Sequence, residues 1–280
     1  MSIDLLQGDG FAQPPGRAQP ARTARKGRRW GSALLGPFAS LYLPLFILLV
    51  WAVAAQARLL PATILPSPAA VAHSAVQLIA SGELAGHLLA SLKRVAIGAG
   101  AGLFLGLILG LALGLSRRID AWIGPFFRTL FQIPSLAWIP PLMLVLGIGE
   151  SLKYVVLAKA CLAPVTIMTC AGVRNIAGEY LEVGRLMKLP RLALFTKVVL
   201  PGALPSIFSG FRQGMAHVWT TLIIVEMMAS ANGVGYLMSW SRQLFQLDVV
   251  MVCIVAISAI GFGLDRLLRL GESRLQAWKG

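Results

Sequence analysis

The sequence has few charged residues and very few acidic ones. Asp, Glu, Lys and Arg together make up 13% of the 280 residues, and only 11 residues are acidic. Hydrophobic residues make up 57% even without counting glycine, whereas an ordinary soluble domain is about 45–50% apolar and about 25% charged. This composition excludes a typical soluble globular protein and predicts an integral membrane protein.

Cysteines are scarce, and sequence motifs for metals, nucleotides or catalysis are missing. The three cysteines, Cys161, Cys170 and Cys253, lie within apolar runs without C-x-x-C spacing, so they indicate neither a disulfide framework nor a zinc site. No G-x-x-x-x-G-K-[ST], H-E-x-x-H or G-x-S-x-G motif occurs. We therefore expect no catalytic residue, no metal site and no nucleotide-binding loop in this chain.

The net charge of +14 does not indicate a nucleic-acid partner. The basic residues form short clusters between apolar runs and not a basic face interleaved with stacking aromatics. Residues 1–37 are rich in Gly, Pro, Ala and Arg, and a cleaved signal peptide would have its apolar segment nearer the N-terminus. We expect residues 1–37 to form a disordered basic cytosolic tail that precedes an uncleaved span.

Six apolar segments are long enough to cross a membrane, since a helix needs about 20 residues to cross about 30 Å of hydrocarbon. They cover residues 38–57, 84–115, 124–147, 152–173, 203–229 and 247–268. The prediction is an all-α integral membrane protein with a first helix at 38–57, a five-helix core domain at 84–270 and a cytosolic tail at 271–280.

Basic residues are concentrated in alternate connections of this arrangement. The N-terminal tail, the turn at 116–128, the segment at 174–201 and the C-terminal tail hold most of them, whereas the other connections hold only Arg58, Lys153 and Arg242. The positive-inside rule then places both termini and the 174–201 segment in the cytosol.

Glycines and prolines mark the second and third predicted spans. The second span repeats glycine every four residues, which puts a close-packing face on one side of the helix: Gly98, Gly102, Gly106, Gly110 and Gly114. The third span contains Pro134, Pro140 and Pro141, each of which removes an amide donor at membrane depth. A helix broken there either lines a water-filled pathway or is kinked for packing alone.

Charged groups within spans are costly and are expected to face the bundle interior or an aqueous path. Arg94 and Glu226 fall near the outer ends of their helices, where snorkelling is a simple explanation; Glu226 either lies near an outer gate or forms an inter-helix salt bridge. For His217 we favour a hydrogen-bonded packing role over a role in substrate or proton coupling. The candidates for a translocation pathway are Pro134, Pro140, Lys159, Arg212, His217 and Glu226.

The segment at 182–201, "EVGRLMKLPRLALFTKVVLP", is basic and half apolar. Pro190 disfavours helix at the preceding residue but suits the first turn of a new one, so we expect a helix, a bend, a short helix and re-entry into the membrane at Pro201. On physical grounds the segment is either a helix on anionic lipid headgroups or a knob presented to a cytosolic partner.

The spacing in this segment resembles the cytosolic loop of the membrane subunits of ABC importers. That loop has a Glu-Ala-Ala pattern, a glycine four residues after the last alanine and a hydrophobic-Leu-Pro end. Here Glu182-Val183-Gly184 and Leu200-Pro201 match, and Lys188 stands in the place of the glycine. "SLKRVAIGAGAG", "QIPSLAWIPPL", "GIGE" and "VEMMASANGVGYL" resemble the branch that imports nitrate, sulfonates, taurine, bicarbonate and related small solutes, over about residues 84–270.

The resemblance implies a type I ABC importer permease fold and a homodimer in the bacterial inner membrane, with membrane lipids around it. Two cytosolic ATPase subunits would bind ATP and Mg, so this chain would not be an enzyme, and an external binding protein would deliver a small anion. Pro190 would supply the bend in place of the glycine. The implied coupling residues are Glu182, Val183, Gly184, Arg185, Lys188, Leu189, Pro190, Arg191, Leu192, Phe195, Leu200 and Pro201. The alternative function is a stand-alone secondary transporter or channel that uses its intramembrane charges.

Overall fold

A computed structural model describes residues 39–57, 61, 64–176, 182 and 186–276. Within them every regular element is a helix, as the predicted all-α class requires. The helices are α1 (Ala39–Gln56), α2 (Pro68–Ala80), α3 (Glu83–Leu115), α4 (Arg117–Gln132), α5 (Ile139–Leu146), α6 (Glu150–Arg174), α7 (Arg191–Leu194), α8 (Leu200–Ala229), α9 (Val234–Gln243) and α10 (Leu247–Gln276). A 3-10 turn at Ser135–Trp138 precedes α5, and a π-helical turn at Phe195–Val199 joins α7 to α8.

Four helical runs are long and apolar enough to cross a membrane: α3, α6, Leu192–Ala229 and Leu247–Ser273. A fifth is formed if α4 and the run Ser135–Leu146, bent by 92° to each other, are one broken span. The apolar stretch Tyr42–Gln56 of α1 is shorter than these. The count of six spans therefore stays a prediction, and the predicted tail over 1–37 lies outside the described residues.

The chain divides into two units, residues 1–48 and 49–280. In the first unit the described part is the beginning of α1, an apolar helical stretch that contains Pro44 and exposes its side chains from Tyr42 onward. The packing described below lies within the second unit.

The glycine ladder of α3 lies against α6. A Cβ atom added at Gly98 would be 2.5 Å from the Leu157 Cβ, and one at Gly106 would be 2.9 Å from the Val165 Cβ. Gly110 and Gly114 face Thr169 and Val173 in the same way, and Gly102 faces the backbone of Ala158. Because real Cβ atoms do not approach so closely, these positions require glycine for the two helices to pack at this distance.

Helix α6 is the central helix of the bundle, because α8 packs on a further side of it. Added Cβ atoms at Gly210 and Gly214 of α8 would be 2.7 Å from the Met168 Cβ and 2.9 Å from the Cys161 Sγ. Val95 of α3, Leu157 of α6 and Val218 of α8 meet in one buried apolar cluster. Cys161 and Cys253 are fully buried, as expected for small packing residues.

A second buried cluster joins α2, α9 and α10 through residues such as Val71, Leu237 and Val252. The short helix α9 follows the fifth predicted span in the sequence. Helix α2 was not predicted, although its signals are in the sequence: Ser67 caps it by accepting a hydrogen bond from the Ala70 amide at 3.2 Å, and Pro68 occupies its first turn.

Three predicted boundaries differ from the structure. Residues 117–132 form helix α4, where a turn at 116–128 was expected, because Ser116 caps a helix there by accepting from the Ile119 amide at 3.3 Å. The chain does not break at Pro201: the π-helical turn just before it, closed by the Leu200 amide donating to the Phe195 carbonyl, keeps the helix continuous. The expected tail at 271–280 begins as helix, since α10 continues to Gln276.

Candidate functional site

A cavity of about 530 Å³ lies between α6, α8 and the broken segment that follows α4. Helix α6 contributes Lys159 and Ala163 to its wall, and α8 contributes Gln213 and His217. Pro134 lies at the break between α4 and the 3-10 turn and lines the same space. Three of the six pathway candidates, Pro134, Lys159 and His217, are therefore brought together.

Lys159 is the charged residue among the described residues that line this cavity. Its Nζ donates a hydrogen bond to the Ile133 carbonyl at 2.9 Å and lies 5.5 Å from the centroid of the Trp138 ring. A carbonyl dipole and an aromatic face stabilise an ammonium but do not neutralise it. The side chain thus brings a positive charge to the cavity wall.

The α8 wall of the cavity is polar. Gln213, His217 and Thr220 recur at i, i+4 and i+7, so they share one helix face, and all three are exposed. Within this chain the His217 imidazole lies at an open surface and not in a helix interface, so the packing role that we favoured for it stays a prediction. This face of α8 therefore presents an imidazole, a side-chain amide and a hydroxyl group.

The proline-rich third span is broken at the position that sequence predicted. The backbone leaves α4 at Gln132, passes through the 3-10 turn and enters α5, with the 92° bend between the two parts. The break borders the cavity, which supports the pathway-lining interpretation over a kink for packing alone. Pro140, in the first turn of α5, is exposed and is not among the residues that line the cavity.

Arg212 lies in a different recess, of about 270 Å³, between α8 and α10. Its Nη1 donates to Glu272 at 2.7 Å, and its Nε is 3.5 Å from Asp265. These ion pairs connect the middle of α8 to the C-terminal half of α10.

Glu226 and Arg94 belong to a polar cluster near the end of α8. We call it the outer polar cluster, after the side of the membrane predicted for it, and define it as Ser91, Arg94, Glu150, Lys153, Glu226 and Asn232. Arg94 Nη1 donates to Glu226 at 2.7 Å, and both side chains are almost fully buried, with 3% and 1% of their surface exposed. Arg94 also holds Glu150 through Nε at 2.8 Å and Nη2 at 2.6 Å. Arg94 is thus buried and does not snorkel, and Glu226 forms the inter-helix salt bridge that was the alternative to a pathway role.

The cluster also fixes the loop between α8 and α9. The Ser91 hydroxyl donates to Glu226 at 2.8 Å, the Gly235 amide donates to Glu226 at 3.0 Å, and the Val234 amide donates to Ser91 at 3.0 Å. Gly233 has φ +105° and lies directly against the Glu226 carboxylate. Only glycine allows both that dihedral angle and that approach.

The described part of the 182–201 segment carries exposed apolar side chains on both sides of Lys188. Leu186, Met187 and Leu192 expose 82%, 70% and 74% of their surface. Lys188 has φ +51°, in the left-handed region that glycine adopts most easily. The bend is therefore at Lys188 itself, and Pro190, expected to supply it, instead precedes α7 and accepts the Leu194 amide at 3.0 Å.

The structure describes some of the other coupling candidates. Glu182 is exposed, and Leu189 and Phe195 are half-buried. Leu200 and Pro201 lie in the first turn of α8. Val183, Gly184, Arg185 and the side chain of Arg191 lie outside the described residues.

Sequence reasoning missed Glu150, Gln213 and Trp138. Glu150 was noted only as the last residue of "GIGE". An acidic residue at the beginning of a span needs a cationic partner, and in the structure Arg94 and Lys153 are those partners. Gln213 could have been found from its i, i+4 spacing to His217. Trp138 gave no signal, because its contact with Lys159 depends on the fold.

Comparison with known proteins agrees with this architecture. Residues 102–277 match the family described as binding-protein-dependent transport system inner membrane component. The chain is 40% identical to a protein of Escherichia coli (strain K12) named as the aliphatic sulfonates transport permease protein SsuC, over 85% of this chain and 90% of that protein. It is 34% identical to the SsuC protein of Bacillus subtilis (strain 168), over 89% and 90%, and 30% identical to the taurine transport system permease protein TauC of Escherichia coli (strain K12), over 84% and 87%.

Solved structures give the same fold at low identity. A crystal structure of an amino acid ABC transporter with histidines superposes with a TM-score of 0.57 at 17% identity, covering 71% of this chain and 97% of that one. An inward-facing structure of the MetNI methionine ABC transporter gives a TM-score of 0.52 at 19% identity, covering 67% and 95%. The fold shared with these transporters and the match over residues 102–277 show that the chain belongs to the family of binding-protein-dependent transport system inner membrane components, the permease subunits of ABC transporters.

Proposed function

We propose that this permease subunit imports a small organic or inorganic anion, such as a sulfonate, taurine or nitrate. The observation that carries the proposal is the cavity of about 530 Å³, whose described lining contains Lys159 and no carboxylate. A cationic wall at membrane depth lowers the cost of bringing a negative charge out of water. The solutes in the names of three relatives fit such a wall, because sulfonates, taurine and nitrate each carry an anionic oxygen group.

A second copy of the chain is expected to face the cavity. Gln213, His217 and Thr220 are exposed on α8, and a row of polar groups at membrane depth does not face lipid. A homodimer in the inner membrane would cover this face and leave a water-filled path between the two copies. Both termini of each copy would lie in the cytosol, as the distribution of basic residues indicates.

ATP hydrolysis is assigned to two cytosolic ATPase subunits that bind ATP and Mg. Docking of an ATPase is supported by the exposed apolar side chains of Leu186, Met187 and Leu192, which flank the Lys188 bend. Exposed apolar side chains on a short helical segment suit a groove on a partner protein. The same segment would transmit closure of the ATPase pair to α8, which follows it without a break.

Uptake by the complete system tests the proposal. The permease, its ATPase and its binding protein are reconstituted in liposomes and supplied with external butanesulfonate, taurine or nitrate. We expect ATP-dependent accumulation of at least one of these anions and none when the ATPase is omitted. Accumulation by liposomes that contain only this chain would instead support a stand-alone transporter, which the pairing of Glu226 with Arg94 and of Arg212 with Glu272 disfavours.

A matched pair of variants tests the coupling segment. Leu192→Asp places a charge on the exposed apolar surface and should abolish ATP-dependent uptake and retention of the ATPase. The control is Ile108→Asp, which changes a residue on an exposed face of α3 within a span. It should lower the yield of membrane-inserted protein, but the protein that does insert should retain its ATPase. Normal ATPase retention in Leu192→Asp would contradict the proposed docking.

A further inference from the structure

The cavity beside Lys159 has two chemically different walls. The α8 wall is polar and carries Gln213, His217 and Thr220. The α6 wall on the C-terminal side of Lys159 is apolar and carries Ala160, Ala163 and Ile167. A space divided in this way fits a ligand that is itself divided into a charged head and an apolar tail.

The positive charge of Lys159 has no anionic partner among the described residues. Arg94, Lys153 and Arg212 each hold a carboxylate at 2.6 to 2.7 Å. No carboxylate in the described part of the chain forms an ion pair with Lys159, whose contacts are the Ile133 carbonyl and the Trp138 ring. An ammonium has three N–H donors, and one is used by Ile133. Two donors and a full charge are left for a ligand.

Further donors stand on the opposite wall. The side-chain amide of Gln213 has two N–H groups, and a neutral imidazole at His217 has one. Thr220 already donates to the Ala216 carbonyl at 3.1 Å, so its hydroxyl is an acceptor in this arrangement. Lys159, Gln213 and His217 together suit a group with several equivalent oxygens and one negative charge, such as a sulfonate.

The apolar wall is a stripe along α6. Residues 160, 163 and 167 follow at i, i+3 and i+7, and with a rise of about 1.5 Å per residue the stripe is about 10 Å long. Two of the three side chains are single methyl groups, which leave room beside the helix. A stripe of this length is in contact with several methylene groups of an extended alkyl chain.

We propose that the cavity is a transit site for alkyl oxyanions, with the head group on Lys159, Gln213 and His217 and the alkyl tail along Ala160, Ala163 and Ile167. This inference rests on the proposed import of small anions and narrows it to anions that carry an apolar chain. The site then selects within the membrane, after release from the binding protein. Each methylene that the stripe buries improves binding roughly fourfold, so a butyl chain is favoured over an inorganic anion of the same charge.

The test measures uptake of methanesulfonate, butanesulfonate and nitrate by the complete complex in liposomes, together with ATPase activity stimulated by the binding protein. Lys159→Gln should lower uptake of all three anions at least tenfold while the stimulated ATPase activity stays within twofold. Lys93→Gln, which removes an exposed cation of α3 outside the cavity, is the matched control and should change neither.

The tail wall is tested by chain length. Ala163→Phe should lower uptake of butanesulfonate at least tenfold relative to methanesulfonate, whereas Ala101→Phe on an exposed face of α3 should leave that ratio unchanged. If Ala163→Phe fails to assemble, Ile167→Ala removes atoms from the same wall and should reduce the preference for butanesulfonate severalfold.

The outcomes separate the two proposals. A wild-type complex that takes up none of the three anions would contradict the proposed function itself. Normal wild-type uptake that is unaffected by Lys159→Gln, or a chain-length ratio that is unaffected by Ala163→Phe and Ile167→Ala, would overturn only the transit site.

Discussion

Helix α6 has two faces that differ in packing and in charge. Leu157, Cys161 and Val165 face the glycine ladder of α3 and are fully buried. Lys159, Ala163 and Ile167 follow two residues later in each case, about 200° further round the helix, and line the cavity. The same helix therefore serves as a close-packed scaffold on one side and as the wall of an open space on the other.

Charged side chains show the same contrast. In the outer polar cluster, Arg94 is buried and is matched by Glu226 and Glu150. At the cavity, Lys159 is half-buried, and among the described residues its polar contacts are a backbone carbonyl and an aromatic ring. Charge within a span is therefore not by itself a sign of a transport role, and Lys159 stays a candidate because the described residues supply no counter-ion for it.

Loss of Arg94 should give the largest effect on stability. Arg94→Leu leaves Glu226 buried without its cation, which should lower the free energy of unfolding by about 3–5 kcal/mol. Thermal unfolding in detergent measures the change, with Lys93→Leu, on the exposed side of the same helix, as the control. Adding Glu226→Gln to Arg94→Leu should recover part of the loss, and no recovery would mean that the buried charge is not the cause.

The glycine ladder should come next. A Cβ at Gly102 would overlap the Ala158 carbonyl and lie 2.6 Å from the Cys161 Cβ, whereas one at Gly100 would meet no atom within 4 Å. Gly102→Ala should therefore lower the free energy of unfolding by about 1–3 kcal/mol, and Gly100→Ala should be neutral or raise it by up to about 1 kcal/mol. Equal effects at the two positions would show that α3 and α6 do not pack through this face.

Substitutions at Lys188, which lies outside both faces of α6, test the effect of its positive φ on the bend. Because Lys188 has φ +51°, Lys188→Gly should relieve strain and stabilise the bend by up to about 1 kcal/mol, with retention of the ATPase unchanged. Lys188→Val, which is β-branched, should weaken ATPase binding severalfold in a pull-down. A smaller loss in Lys188→Val than in Pro190→Ala would place the bend at the proline after all.

The smallest change in stability should follow loss of Lys159. Lys159→Gln breaks no ion pair in the described part of the chain and removes one hydrogen bond to Ile133, so the free energy of unfolding should change by less than about 1 kcal/mol. The same detergent unfolding assay compares it directly with Arg94→Leu. A loss as large as that of Arg94→Leu would make Lys159 a structural residue.

Local patterns predicted the parts of the molecule that local chemistry determines. Apolar length located α3, α6, α8 and α10, the glycine spacing indicated the packing face of α3, and Pro134 lies at the break that follows α4. The role of Glu226 stayed open, because its partners Ser91 and Arg94 lie more than 130 residues away in sequence. The role of His217 stays open for the same reason, since one helix sequence does not show whether a neighbouring helix covers a given face.

The Lys188 bend was mislocated for a different reason. Proline is the stronger turn signal, whereas a lysine with positive φ is uncommon and gives no sign of itself in the sequence. The glycine expected by resemblance at this position was the better guide to the backbone than the residue that occupies it.

The continuous helix from Leu192 to Ala229 is 38 residues long, about 57 Å at about 1.5 Å per residue, nearly twice the thickness of the hydrocarbon layer. A single helix of this length extends well beyond the hydrocarbon layer and connects structure on the two sides of it. The helix begins beside the Lys188 bend, the outer polar cluster holds it at Glu226 near its other end, and the polar residues of the cavity lie between. We expect that a displacement of the end beside Lys188, with Glu226 held in place, tilts the cavity wall, and that the helix bends at the π-helical turn at Phe195–Val199.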